Sequence, residues 1–138
     1  MADRNPTVVF PEAKRAVVED RPVPAPGPGE LLVKTARSLI STGTEMTIFS
    51  GEFPPDSFWS GYGKYPFVAG YSNTGTVVDV GAGTDASLKG KRVASFRPHA
   101  AYVTVNAADA YELPPGLPRN RRRSSRSRRL RDRERAAG

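Results

Sequence analysis

The positive charge of this chain is concentrated in its last twenty residues. Residues 119–138 hold 10 arginines against two acidic residues, a net charge of +8, whereas residues 1–118 hold 11 Lys and Arg against 12 Asp and Glu, a net charge of −1. A segment with so much like charge and so few apolar side chains cannot bury a core. The sequence therefore predicts one compact domain over residues 1–118 and a disordered Arg-rich tail over residues 119–138.

The composition of the chain argues against several classes of protein. It has no cysteine and a single histidine, which removes disulfides and thiolate nucleophiles and disfavours a conventional zinc site. No apolar run approaches the roughly 20 residues that a membrane span needs, and the N-terminus lacks the pattern of a signal peptide. We therefore expect a cytoplasmic protein with no zinc and no membrane association.

Short β-rich segments recur at intervals of roughly ten residues between turns rich in glycine and proline, the pattern of a small barrel or sandwich. The strongest strand is predicted over residues 30–40, and residues 42–49 predict about one helical turn. A loop over residues 53–65 contains five aromatic side chains. The fold class is therefore predicted to be mainly β, a distorted barrel with short helical turns. The other predicted strands are 7–10, 15–19, 75–80, 92–96, 100–105 and 110–113.

Residues 81–86 match the pattern G-x-G-x-x-A after a predicted strand. In a dinucleotide site, this pattern opens a helix of several turns whose N-terminal N–H groups and dipole hold the pyrophosphate. Here the sequence returns to a strand pattern by residue 92. The residues therefore predict a tight turn rather than a coenzyme site.

Three further features allow both a functional and a structural interpretation. His99 lies at the predicted start of a strand, where it could shuttle protons or serve as a hydrogen-bonded structural residue, the interpretation that the residues alone favour. Residues 41–45 could bind a polar substrate or cap a helix, and capping is the default. The aromatic side chains of residues 53–65 could line an apolar pocket or pin their loop onto the barrel.

A series of landmarks runs through almost the whole of residues 1–118 in a characteristic order. Together they resemble the N-terminal GroES-like domain of the medium-chain dehydrogenase/reductase superfamily, which contains the zinc-type alcohol dehydrogenases and their relatives. Residues 96–103 are most similar to the branch grouped with bacteriochlorophyllide a dehydrogenase. The landmarks are residues 28–34, 42–45, 51, 66–70, 75–78, 80–83, 90–93, 101–103 and 113–118.

The resemblance implies a barrel whose cleft meets a separate Rossmann domain carrying NAD(P), with hydride passing between the nicotinamide and an alcohol or carbonyl substrate. Zinc-dependent members have a cysteine ligand where this chain has Thr42, and Gly-His-Glu where it has Gly70, Tyr71 and Ser72. Hydroxyl groups cannot replace a thiolate and an imidazole around Zn²⁺. The resemblance therefore implies a zinc-independent oxidoreductase. Its predicted catalytic residues are Tyr71, Thr44 and His99, and its predicted substrate-binding residues are Thr42, Ser72 and Trp59.

The basic tail departs from the resemblance, because members of the family continue with an apolar helix toward the coenzyme domain. We expect the tail to be a frameshifted end, which truncates the protein before its Rossmann domain and leaves this chain without bound coenzyme or activity. The uncovered seam then predicts homo-oligomers or aggregation. The alternative is a binding or scaffold module whose arginines bind nucleic acid, non-specifically, through phosphate contacts.

Overall fold

The computed structural model describes residues 4–117 of the protein. The predictions for the tail, including disorder and nucleic-acid binding, therefore fall outside the described residues. The helices within residues 4–117 are all too short or too polar to cross a membrane.

The described part of the chain is mainly β, as the sequence predicts. Its strands are joined by turns and by short helices, and two single-turn 3₁₀ helices lie at Ala86–Leu88 and Ala107–Asp109. The strands are β1 (Arg4–Phe10), β2 (Val17–Pro22), β3 (Glu30–Ser38), β4 (Phe67–Val68), β5 (Asn73–Val80), β6 (Arg92–Ser95), β7 (Tyr102–Asn106) and β8 (Tyr111–Glu112), and the α-helices are α1 (Thr42–Ser50) and α2 (Phe58–Tyr62).

The strands form two antiparallel sheets. The smaller has the order β2-β1-β4, and the larger has the order β7-β3-β5-β6-β8. An isolated bridge between Thr7 and Ala100 joins β1 to the segment before β7. The segment between β6 and β7 therefore lies where the two sheets meet.

Alternation of side chains along the strands builds the main core. In β7, Val103 and Val105 are buried, while Tyr102 and Thr104, which alternate with them, are partly exposed. Val33 of β3 and Val77 of β5 are 0% and 1% exposed and pack in the same cluster. Each such side chain contributes about 1.5–3 kcal/mol by leaving water, so the central strands are firmly held.

A second, smaller cluster fixes the two helices against the small sheet. Phe10 of β1, Ile48 of α1 and Ala69 are all buried and in contact. Trp59 and Tyr65 pack against this cluster, and the Tyr65 hydroxyl donates to the Ile48 carbonyl. Ile48 thus sets the position of α1, the helix that carries Thr42 and Thr44.

Several boundaries differ from the sequence-based prediction. Helix α1 has nine residues rather than one turn, because its buried Ile48 and Glu45 tie it to the rest of the domain. Helix α2 lies in the segment predicted as an aromatic loop, and the two-residue strand β4 was not predicted. Strand β3 ends at Ser38, two residues early, and leaves Leu39 and Ile40 exposed.

Residues 81–86 form a turn, as predicted. Strand β5 ends at Val80, the Gly81 N–H donates to the Glu30 carbonyl, and a three-residue 3₁₀ helix follows at Ala86–Leu88. Asp85 caps that helix by accepting from the Ser87 N–H. No longer helix starts at this glycine turn.

Candidate functional site

His99 lies in the segment between β6 and β7 rather than at the start of a strand, because β7 begins only at Tyr102. Its backbone N–H donates to the Ala69 carbonyl, and its own carbonyl accepts from the Val8 N–H, both at 2.9 Å. The Asn73 side chain donates to the neighbouring Pro98 carbonyl at 3.1 Å. The backbone around His99 is therefore held by both sheets, which fixes the direction of its ring.

The His99 ring connects two polar side chains. Its Nε2 lies 2.5 Å from Oε1 of Glu45, and its Nδ1 lies 2.6 Å from the Ser38 hydroxyl. The His99 and Glu45 side chains are 10% and 4% exposed, whereas Ser38 is exposed. A buried carboxylate needs such partners, because an unpaired charge inside a protein is costly. The pair therefore joins helix α1 to the segment between β6 and β7.

Glu45 also organises the start of α1. Its second oxygen, Oε2, accepts from the Ser41 backbone N–H at 2.5 Å, and the Ser41 hydroxyl makes no cap contact of its own. The structure thus confirms helix-start chemistry at residues 41–45, although the carboxylate rather than a hydroxyl performs it. The Ser41 hydroxyl is left to accept a hydrogen bond from another group.

That group is the phenol of Tyr71, whose hydroxyl donates to Oγ of Ser41 at 2.5 Å. Hydrogen bonding with Ser41 and then with Thr44 lowers the pKa of Tyr71 below the ordinary tyrosine value, and these effects outweigh desolvation and the negative charge of Glu45, which raise it. Hydroxyl groups around a phenol favour the phenolate, since they can donate to it. Tyr71 is therefore a stronger proton donor than an ordinary tyrosine, because Ser41 and Thr44 stabilise its phenolate.

This arrangement predicts that Tyr71 ionises at lower pH than free tyrosine. The measurement is an absorbance titration of the tyrosines in the native protein, from which the curve for Tyr71→Phe is subtracted. We expect the Ser41→Ala variant to move the Tyr71 midpoint upward, because the phenolate loses its main donor. A Tyr71 midpoint at or above that of free tyrosine would show that the hydroxyls do not stabilise the phenolate.

A cleft of about 560 Å³ opens where the two sheets meet, and Tyr71 lines it. Tyr62, Phe67 and Phe96 supply apolar walls, and Arg97 and Thr104 supply polar ones. The lining combines apolar and polar side chains in comparable amounts, and a concave site needs converging polar groups to orient a small molecule. Tyr71 thus lines a space large enough for a small organic substrate.

Among the predicted site residues, all of which lie within residues 4–117, Tyr71 alone is part of the lining of this cleft. Thr44 reaches the Tyr71 phenol, while Thr42 is the exposed first residue of α1. The Ser72 carbonyl accepts from the Leu39 N–H. Trp59 packs against the small core cluster. The aromatic segment therefore has both of its suggested roles, because Trp59 and Tyr65 pin it while Tyr62 lines the cleft.

Sequence reasoning did not consider Ser38, and it considered Ser41 and Glu45 only as part of residues 41–45, for substrate binding or helix capping. The four-residue spacing of Ser41 and Glu45 at a helix start was a usable signal, but it indicated a cap. Ser38 and His99 are 61 residues apart, and no local pattern relates them. Their contact depends on the crossing of β3 with the segment before β7.

The residues present do not fit a zinc ion. Within residues 4–117, no three His, Cys, Asp or Glu side chains cluster as metal ligands would. At the positions that the family resemblance assigns to zinc ligands, the chain offers the hydroxyls of Thr42 and Tyr71, and the Tyr71 hydroxyl is engaged with Ser41. Zn²⁺ binds thiolate, imidazole and carboxylate groups. No chemical step here is therefore assigned to zinc.

The described residues also do not fit the pyrophosphate of a dinucleotide. The glycine turn at residues 81–83 leads into a 3₁₀ helix of three residues, and a Cβ on Gly81 would lie 1.8 Å from the Gly27 carbonyl oxygen. The absence of a side chain at Gly81 therefore accommodates the backbone of Gly27. A phosphate site needs that room and a helix N-terminus for the ligand.

Fold and sequence comparisons agree on the class of this domain. The model of the alcohol dehydrogenase GroES-like domain matches residues 27–115, and the chain belongs to this family. It is thereby an N-terminal GroES-like domain of the medium-chain dehydrogenase/reductase superfamily, as the sequence landmarks indicate.

Three relatives illustrate the similarity. The 2-desacetyl-2-hydroxyethyl bacteriochlorophyllide A dehydrogenase of Rhodobacter capsulatus is 48% identical over 59 residues, which are 43% of this chain and 18% of that protein. A mycobacterial protein solved with NADPH is 26% identical, with a TM-score of 0.63 over 84% of this chain and 34% of that one. A short chain alcohol dehydrogenase from E. coli, solved with NADH, is 20% identical, with a TM-score of 0.70 over 83% of this chain and 40% of that one. The chain therefore spans less than half of each.

Proposed function

We propose that this domain is the substrate-side lobe of a zinc-independent, NAD(P)-dependent oxidoreductase that acts on an alcohol or carbonyl compound. The observation that carries the proposal is Tyr71, a residue of the cleft lining whose hydroxyl is hydrogen-bonded to Ser41. It occupies the position where the resemblance places an imidazole ligand of zinc. A hydroxyl group there can polarise a carbonyl oxygen by donating a hydrogen bond, the task that a Lewis acid performs in zinc enzymes.

In the reducing direction, the Tyr71 hydroxyl turns its single proton from Ser41 Oγ to the carbonyl oxygen and donates it as that oxygen gains negative charge. The hydroxyls of Ser41 and Thr44 then stabilise the phenolate, which is consistent with their lowering of its pKa. NAD(P)H, when bound, supplies the hydride for the carbonyl carbon. In the oxidising direction, the phenolate takes the proton of the alcohol. Thr42, Ser72 and Trp59 are proposed to contact the substrate from the surrounding elements.

The pair of His99 and Glu45 supports the position of Tyr71 indirectly, through Ser41. The Glu45 carboxylate accepts a hydrogen bond from the Ser41 backbone N–H. The Ser41 hydroxyl in turn accepts a hydrogen bond from the Tyr71 hydroxyl. His99 holds Glu45. We propose that His99 acts through this chain of contacts, since it is attached to α1 rather than to the phenol. A misplaced Ser41 would rotate the phenol away from its substrate.

The coenzyme in this proposal is held by a second lobe. Leu39, Ile40 and Met46 flank the start of α1 and are 56%, 63% and 44% exposed, which supports a covering surface at this edge. The NAD(P) complexes of the related structures also support it. We therefore expect the 138-residue chain alone to show no turnover with NAD(P)H.

The test is a chimera that joins residues 1–117 to the nucleotide-binding lobe of the mycobacterial NADPH-bound relative. Binding of NADPH, followed by fluorescence, reports whether the lobe has assembled. We expect oxidation of NADPH in the presence of small aromatic or aliphatic ketones, with a rate that is unchanged by a metal chelator. An assembled chimera that reduces no carbonyl compound, or one that the chelator inactivates, would refute the proposal.

A further inference from the structure

Ser38, His99 and Glu45 form a second chemical centre at the end of β3. We infer that Ser38 is an activated nucleophile that accepts acyl groups from activated esters. The hydroxyl oxygen of Ser38 lies 2.6 Å from His99 Nδ1, and His99 Nε2 lies 2.5 Å from Glu45 Oε1. A nucleophile, a base and an orienting carboxylate in hydrogen-bonded succession define a catalytic triad, whatever their order in the chain.

The proton positions in this triad follow from the partners. Glu45 Oε2 accepts from a backbone N–H, and its Oε1 faces His99 as a second acceptor. The Nε2 atom of a neutral imidazole therefore carries the proton, and Nδ1 is left as the acceptor. The Ser38 hydroxyl is consequently the donor in the short contact with Nδ1. That direction is the one in which the imidazole acts as the general base for Ser38.

Burial and exposure are distributed as such a centre requires. Glu45 and the His99 ring are inside the domain, while Ser38 is exposed at the last position of β3. The His99 backbone is fixed by hydrogen bonds with Ala69 and Val8. Because the base is held from three directions, it needs no rearrangement before it takes a proton. The exposed hydroxyl meets reagents directly.

The inferred reaction is an acyl transfer with no redox step. The Ser38 oxygen bonds to the acyl carbon as its proton passes to His99 Nδ1, and the bond from that carbon to the leaving oxygen breaks. The leaving aryl oxide takes the proton from His99. Water then attacks the acyl-serine with help from the same base, which releases a carboxylic acid and restores Ser38.

The experiment treats the 138-residue protein with a fluorophosphonate probe and maps the modified residue by mass spectrometry. The Ser38 oxygen displaces fluoride from phosphorus, and its proton leaves through His99. We expect labelling at Ser38, none at this position in Ser38→Ala, and a rate about 100-fold lower in His99→Gln, because general-base assistance is removed. Glu45→Gln keeps the shape of the side chain, and we expect a rate at least about tenfold lower.

Ser87 provides the matched control. It is exposed and its backbone is held by the Asp85 carboxylate, but no imidazole contacts it in the described structure. Ser87→Ala should label like the wild-type protein. A merely structural Ser38 would react no faster than Ser87, and an unlabelled wild-type Ser38, or equal rates at both serines, would overturn the inference. Because no coenzyme is involved, failure here leaves the oxidoreductase proposal intact.

Discussion

Replacing Gly70 by alanine is expected to destabilise the domain by about 3–5 kcal/mol, because backbone strain and a steric clash act at the same position. Gly70 has φ +102°, a conformation that L-residues rarely adopt. A Cβ there would lie 2.7 Å from the His99 backbone nitrogen and from Cδ2 of its ring. The ring would have to move away from Glu45 and Ser38. The free energy of unfolding in urea measures this loss.

Two alanine variants separate the strain from the clash. Gly83 also has a positive φ, +72°, but a Cβ there meets nothing within 4 Å, so Gly83→Ala should cost only about 1–2 kcal/mol. Gly61 lies in α2 with open space around it, and its replacement should stabilise by up to about 1 kcal/mol. If Gly70→Ala unfolds at the same urea concentration as Gly83→Ala, the steric clash with His99 adds no free-energy cost to the backbone strain, which would contradict this prediction.

Removing the Glu45 carboxylate is expected to cost about 1–3 kcal/mol of unfolding free energy, because the buried Nε2–H of His99 loses its acceptor. Glu45→Ala also deprives the Ser41 N–H of its acceptor, so helix α1 should lose order at its start. In a double-mutant cycle with His99→Ala, we expect a coupling energy of about 2 kcal/mol, since each residue is the main partner of the other.

The surface pair Lys91 and Glu112 is the matched control for this cycle. Its atoms are 3.0 Å apart, but its side chains are 42% and 52% exposed. Water and salt screen such a pair, and its coupling should stay below about 1 kcal/mol and fall as salt is added. A coupling between Glu45 and His99 that is as weak and as sensitive to salt would mean that the buried pair does not organise the site.

The alternating valines of strand β7 could be recognised in the sequence. Val103 and Val105 of β7 follow the period of two that a half-buried strand imposes, and glycines mark the turn that follows β5. Helix α2 and strand β4 were not predictable in this way. A strand as short as Phe67–Val68 exists only because it pairs with Val9 and Phe10 of β1, and that pairing is a tertiary contact.

The residues of the candidate site also fall into two groups, those that the sequence predicted and those that only tertiary contacts bring into the site. Tyr71 and Thr44 were selected through the family resemblance, and the structure brings them together. Glu45 contacts His99 across 54 residues of sequence, and this contact was not anticipated. The local sequence pattern indicates which residues could take part in chemistry. The packing of Ile48 against Phe10 determines where helix α1 places them.

The most direct test of the proposed function compares Tyr71→Phe with Tyr111→Phe in the two-lobe chimera. Both changes remove one phenolic oxygen, but Tyr111 is 61% exposed on β8 and packs edge-on against Phe96, away from the Ser41 hydroxyl. If Tyr71 is the proton donor, its replacement should lower kcat for carbonyl reduction by about 100-fold, with KM for NADPH unchanged. The Tyr111 variant should keep the rate of the parent chimera. Equal rates in the two variants would contradict the assignment of the reacting proton to Tyr71.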